Sequence, residues 1–268
     1  LGRAIFQQAG MDETAKYKET YDAFVSALTS DKNAVKPDVA MGQLFEQAAQ
    51  ENSGDSRKFK YYRDKAAEFY QRATTSKDLN SHLAAANWAL QTNQLKLAQT
   101  YADAALKLDP TSVDAKLARA VVARFSGDLV TAEKNLSEAF TQSPGSFPIS
   151  NQLALVLVDT KDSAKRQRAK EIAEVNFRQY QKNPEAAATL GWVYYVVGEV
   201  NKAESVLNQL LNANALGPDS AYYVAKILND RERYADAKQI LQLALSTPQP
   251  FANRENAKQL IQKDSLLI

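Results

Sequence analysis

Small and large apolar residues return along this chain in a fixed order, A-x-x-x-[AYL]-x-x-[AL], with polar positions between them. Spacings of three and four put such residues on one face of a helix. The alanines that open the pattern are Ala98, Ala132, Ala169, Ala203 and Ala237, separated by 34, 37, 34 and 34 residues. A second series holds Ala105, Ala139 and Ala244, and its first two members are 34 apart, as are Pro110 and Pro144. Three separate markers share one period, the signature of a repeated supersecondary unit. Each unit reads as two helices. Ala86, Ala120, Ala154, Gly191 and Ala225 fill a small slot in each first helix, and the opening alanines fill one in each second helix. Small residues let antiparallel helices approach closely while Leu and Tyr fill the gaps around them. Asp109-Pro110 and Ser143-Pro144 end their helices, because Pro lacks an N–H and disfavours helix at the residue before it. Gly127 and Gly198 suit the tight turn inside a pair.

The pattern predicts an all-α fold of about six antiparallel helix pairs, over 36–78, 79–112, 113–146, 147–183, 184–217 and 218–250. One pair cannot bury its apolar face alone, so neighbours must stack. Residues 1–35 carry a helix with Tyr17, Tyr21, Phe24, Val25 and Leu28 as its apolar positions, read as an N-terminal cap or partial repeat. Residues 251–268 are expected to form a C-terminal capping helix, amphipathic over 252–263, and a tail. Two stretches break the period. The fourth pair has three extra residues around "KDSAKRQRAK", and the first has a longer joint around "QENSGDSRKFK".

At these residues the chain resembles the tetratricopeptide repeat (TPR) family, whose pattern is W-x2-L-G-x2-Y, then A-x3-F, then a late Pro. Leu190-Gly191, Tyr194, Gly198, Ala203 and Leu207 give the fullest copy; Gly127, Ala132, Leu136, Ala139 and Pro144 give another. The first-slot Trp is absent, its place taken by His82, Lys116, Ser150, Ala187 and Ala221. The resemblance implies an α-solenoid, a right-handed superhelix whose first helices line a concave groove for a peptide or partner helix. Carried over position by position, the groove slots hold Asn87, then Arg124 and Phe125, then Asn151 and Gln152. They continue with Trp192 and Tyr195, then Tyr222, Tyr223 and Lys226. Asp159 and Asp230 fall in the same rows. Aromatic rings offer contact area at low entropy cost, and amides can bond a peptide backbone. Trp192, Tyr195 and Tyr222 equally fit packing between neighbouring first helices. The clamp of Lys, Asn and Arg that binds heat-shock-chaperone tails is not evident: Asn87 matches one slot, but Leu83, Asp114 and Ala118 occupy others. Arg124 could still meet a C-terminal carboxylate, without a second cation to make the contact bidentate.

Composition narrows the chemistry. The 268 residues include 43 alanines but only 9 glycines and 8 prolines, which suits helices with short joints rather than many strands and turns. With 33 basic and 31 acidic residues the net charge is +2, which argues against a dedicated nucleic-acid binder. Two basic clusters, Arg57, Lys58, Lys60 and Arg63, then Lys161, Lys165, Arg166, Arg168 and Lys170, are diluted by nearby acids and read as solvated helix starts. Without cysteine there are no disulfides and no thiolate chemistry; the single histidine, His82, cannot build a multi-His metal site. His82 is expected to fill the first slot of its pair. No phosphate-cradling loop occurs, so no cofactor or metal is expected. No apolar run is long enough to span a membrane. The start at Leu1 reads as a processed or truncated N-terminus, and the compartment is not indicated.

These features lead to a non-catalytic protein–protein interaction scaffold. The alternatives are an architectural tether within a larger protein and, further off, a helical-barrel carbohydrate-active enzyme. That last reading would need Glu185, Asp219 and Asp230 to face Trp192 and Tyr222 as acids and sugar platforms. Self-association through terminal repeats is left open.

Overall fold

The computed structural model describes residues 1–11, 13–212, 216–247 and 250–264. The end of the expected C-terminal tail, 265–268, lies outside the described residues. Fifteen helices and no strand occur among the described residues. They are α1 (Gly2–Gln7), α2 (Thr14–Ser30), α3 (Pro37–Glu51), α4 (Ser56–Ala73), α5 (Leu79–Gln91), α6 (Leu95–Leu108), α7 (Val113–Phe125) and α8 (Leu129–Gln142). There follow α9 (Phe147–Val158), α10 (Ser163–Gln179), α11 (Pro184–Val196), α12 (Val200–Asn212), α13 (Pro218–Asp230), α14 (Tyr234–Ser246) and α15 (Arg254–Asp264). The chain forms two compact units, Leu1–Ala89 with Thr100–Asp109, and Leu90–Gln99 with Pro110–Ile268.

In the first unit α1 packs on α2, α2 on α3, and α3 on α4. The N-terminal stretch expected as one helix is two, joined around Gly10. The Tyr17 hydroxyl donates to the Gly10 carbonyl at 2.7 Å and fixes that joint. The core is aromatic: Phe45, fully buried, has Phe6 and Tyr17 edge-on at 5.0 Å and Phe69 stacked at 5.4 Å. Such ring pairs add to the area they bury. Val25, expected on the apolar face of α2, is exposed.

In the second unit α7/α8, α9/α10, α11/α12 and α13/α14 are packed pairs, and α15 packs on α14. The first helices also touch in series, α7 on α9, α9 on α11 and α11 on α13. The small slots have their physical reason in the packing: Ala120, Ala154 and Ala225, like Ala132, Ala169, Ala203 and Ala237, are wholly buried. A Cβ added at Gly191 would stand 2.5 Å from Leu207 Cγ, so α11 and α12 approach there more closely than alanine permits.

Turn chemistry sets the boundaries. Asp55, Ser112, Asp128, Asp162 and Asn183 each cap a helix by accepting from a backbone N–H in its first turn. Gly127 and Gly198 have φ of +77° and +89°. At their turns Asp128 N–H donates to Ala123 O and Glu199 N–H to Tyr194 O, closing the helix ends. Asn93 and Glu232 take the same left-handed conformation, each 34 residues from one of those glycines.

The two irregular pairs differ from expectation in where their extra residues go. The opening alanine is the fourth residue of α6, α8, α12 and α14 but the seventh of α10, and Ala66 is the eleventh of α4. The additions extend the start of each second helix, by almost one turn and by about two turns. The joint itself stays short in both pairs. Asp55 and Asp162 explain this, since their carboxylates nucleate α4 and α10 early.

Candidate functional site

The site is built from the first helices of the second unit. Arg124 lies in the last turn of α7, near the carbonyl end that favours a cation. Its side chain turns inward and is 5% exposed. Its Nη1 donates to Gln152 Oε1 at 3.3 Å, and the guanidinium lies 6.0 Å from the Phe125 ring. Burial opposes the charge of Arg124, but Tyr223, Asp219 and Asp159 outweigh burial and hold its pKa above the ordinary value.

Asp219 sits in the first turn of α13. Burial raises its pKa; Arg124 and hydrogen bonding from Asn253 and the Ala252 and Asn253 backbone pull it down without cancelling that rise. Asp159, at the end of α9, accepts from the indole N–H of Trp192 at 3.1 Å. Its carboxyl is also held up, by burial first, against the pull of Arg124, Trp192 and Arg166, with the Asp219 charge adding to the rise. Tyr223 is 1% exposed, and burial followed by the Asp219 charge keeps its hydroxyl protonated.

Arg124, Asn151, Gln152, Glu185, Asp219 and Tyr223 line one cavity of about 440 Å³. Two of them carry a buried acceptor with no hydrogen-bond partner, Asn151 Oδ1 and Asp219 Oδ1, while the side chains of Arg124 and Tyr223 bond to each other. Leaving buried polar groups unpaired costs roughly 1–3 kcal/mol each.

The aromatic residues take a different place. Trp192 is stacked with Tyr223 at 4.6 Å and with Tyr195 at 5.3 Å, and Tyr222 leans on it at 5.8 Å. Trp192 and Tyr222 are buried, so they form the wall behind the cavity rather than an open platform. Tyr195 is half-buried and donates to Asp230 Oδ2 at 2.6 Å. Burial and that carboxylate hold its phenol well above the usual range. Phe125 and Lys226 are half-buried on α7 and α13. Asn87 is exposed on α5 and belongs to the first unit. The sequence pattern thus brought Arg124, Asn151, Gln152 and Tyr223 to one cavity. Asp219 and Glu185 were read only as acids facing Trp192 and Tyr222 in the enzyme alternative; their shared first-turn position after Pro218 and Pro184, 34 residues apart, is the signal that places them in the same row.

The other candidates are occupied locally. His82 is buried, its Nδ1 3.0 Å from the Asp78 carbonyl in the turn that starts α5. In the basic clusters Lys60 pairs with Asp64, Arg63 with Glu46, Lys165 with Glu133 and Lys170 with Glu199. Among the described residues no helix is long and apolar enough to cross a membrane.

No family model matches the sequence, and no curated protein matches it. Solved structures do. A tetratricopeptide repeat protein from Parabacteroides merdae superposes with a TM-score of 0.65 at 11% identity, over 94% of each chain. A thermophilic TPR protein of Thermus thermophilus gives 0.58 at 18% identity, over 70% of this chain and all of the other. Human IFIT1, solved as a dimer with m7Gppp-AAAA, gives 0.58 at 14% identity, over 99% of this chain and 62% of that one. The chain therefore has the tetratricopeptide-repeat fold, of the α-solenoid class. At these identities the likeness is one of fold.

Proposed function

We propose that the protein is a non-catalytic interaction scaffold, and that the face formed by α7, α9, α11 and α13 binds a peptide or helix of a protein partner. The observation that carries this reading is one cavity lined by two unpartnered buried acceptors, Asn151 Oδ1 and Asp219 Oδ1, beside the buried side chains of Arg124 and Tyr223. Donors and acceptors mixed in that way match the carbonyls and N–H groups of an extended peptide. The fold supports the reading, since stacked helix pairs present a continuous row of first helices. The stacked, buried Trp192 speaks against a sugar platform, which needs an open ring face.

Photocrosslinking tests it. A benzoylphenylalanine placed at Gln152 or Lys226 should crosslink a protein from the source lysate. One placed at Val130, 81% exposed on the second helix α8, should not. Equal crosslinking from Val130 would refute the assignment of this face.

A further inference from the structure

The charge around the cavity is unbalanced. Arg124 is the single cation among its described lining residues, which also carry the carboxylates of Asp219 and Glu185. Asp159 lies close enough to act on both Arg124 and Asp219 and adds a third carboxyl, with Arg166 acting on it as a second cation, so carboxyls still outnumber cations. The hydrogen bonds of Arg124 go to the amide of Gln152 and to Tyr223, not to a carboxylate. Helix dipoles account for acids in the first turns of α11 and α13. They do not account for Asp219 Oδ1, a buried oxygen without a partner on a carboxyl otherwise met by Asn253 and the Ala252 and Asn253 backbone. A buried carboxylate in that state is stabilised by an incoming cation.

We propose that the cavity receives a cationic group of the bound peptide, a lysine or arginine side chain set against Asp219 and Glu185, while a neighbouring peptide carbonyl accepts from Arg124. This rests on the peptide-binding reading above and specifies the partner: a segment with a basic residue at one fixed position. A volume of about 440 Å³ is ample for one long side chain and its flanking backbone. The mixed polarity of the lining fits such a residue, which brings a charge and a carbonyl acceptor together. An acidic terminus would meet the excess carboxylates unfavourably.

The test passes two degenerate heptapeptide libraries over the immobilised full chain and sequences what is retained. One library is N-acetylated and C-terminally amidated; the other is amidated with a free N-terminus. The proposal expects Lys or Arg enriched about tenfold at one position of the capped library, as a desolvated charge pair supports. Asp219→Asn should abolish the enrichment, and Glu185→Gln should weaken it. Glu185 is exposed, so its variant decides the matter if Asp219→Asn lowers the thermal stability. Selective retention of the free-amine library, lost in the same variants, would keep the cation and assign it to an N-terminal ammonium. Retention without basic preference, or with acidic preference, would overturn the cationic site and leave the peptide-binding reading intact. Retention of neither library would remove both.

Discussion

Gly191 leaves no room for a methyl group: the added Cβ would press on Leu207 at its branch point, and Leu207 is itself buried. Gly191→Ala should cost about 1–3 kcal/mol by overpacking. Denaturant melts of Gly191→Ala, Leu207→Ala and the double variant check this. The glycine substitution should cost less once Leu207 is trimmed. Additive losses would contradict the close approach. At this scale the sequence was informative about slots, because a residue that must be small is seen as Ala or Gly at a fixed period. For Trp192 it left groove and packing equally open. Whether that ring is open or covered depends on Tyr223, which comes from the next first helix and stacks on it. The burial also decides which variants are useful. Truncating Trp192 would open the interior at roughly 3–5 kcal/mol, so the binding tests leave it in place.

Among the elements, the turns between paired helices separate what was legible from what was not. Gly127 and Gly198 advertised the left-handed conformation; Glu232, with φ of +60°, did not. Only its spacing of 34 residues from Gly198 gives it away. The repeat geometry imposes the conformation, and the side chain bears strain for it. Glu232→Gly should therefore stabilise the protein by about 0.5–1 kcal/mol, after the larger unfolded-state entropy of glycine is counted. Gly198→Ala should destabilise it by about 1 kcal/mol. Thermal melts that move both variants in the same direction would contradict this account. The lengthened α4 and α10 show a similar limit. A count of residues reveals an insertion, but the cap at Asp55 or Asp162 decides whether it becomes loop or helix.

For the molecule as a whole, the period alone argued for stacked helix pairs, and the TPR fold is what the chain adopts. The cavity was only half legible. Arg124 and Asp219 are 95 residues apart and meet because four first helices stack, a juxtaposition that no local motif encodes. The difference in core between the two units, aromatic around Phe45 and Ala/Leu-rich around Leu153 and Leu157, could likewise be seen only in three dimensions.

The central claim is that the first-helix face of the second unit is the binding surface, and the two tryptophans of this chain provide its most direct test. The Trp192 indole N–H donates to Asp159 at that face, and the Trp88 indole N–H donates to Glu46 in the first unit. Their two ¹⁵N-indole signals are followed while the peptides retained from the library are titrated in. The Trp192 signal should move saturably, and the Trp88 signal should stay in place. Movement of Trp88 alone, or of neither signal while peptide is bound, would contradict the account.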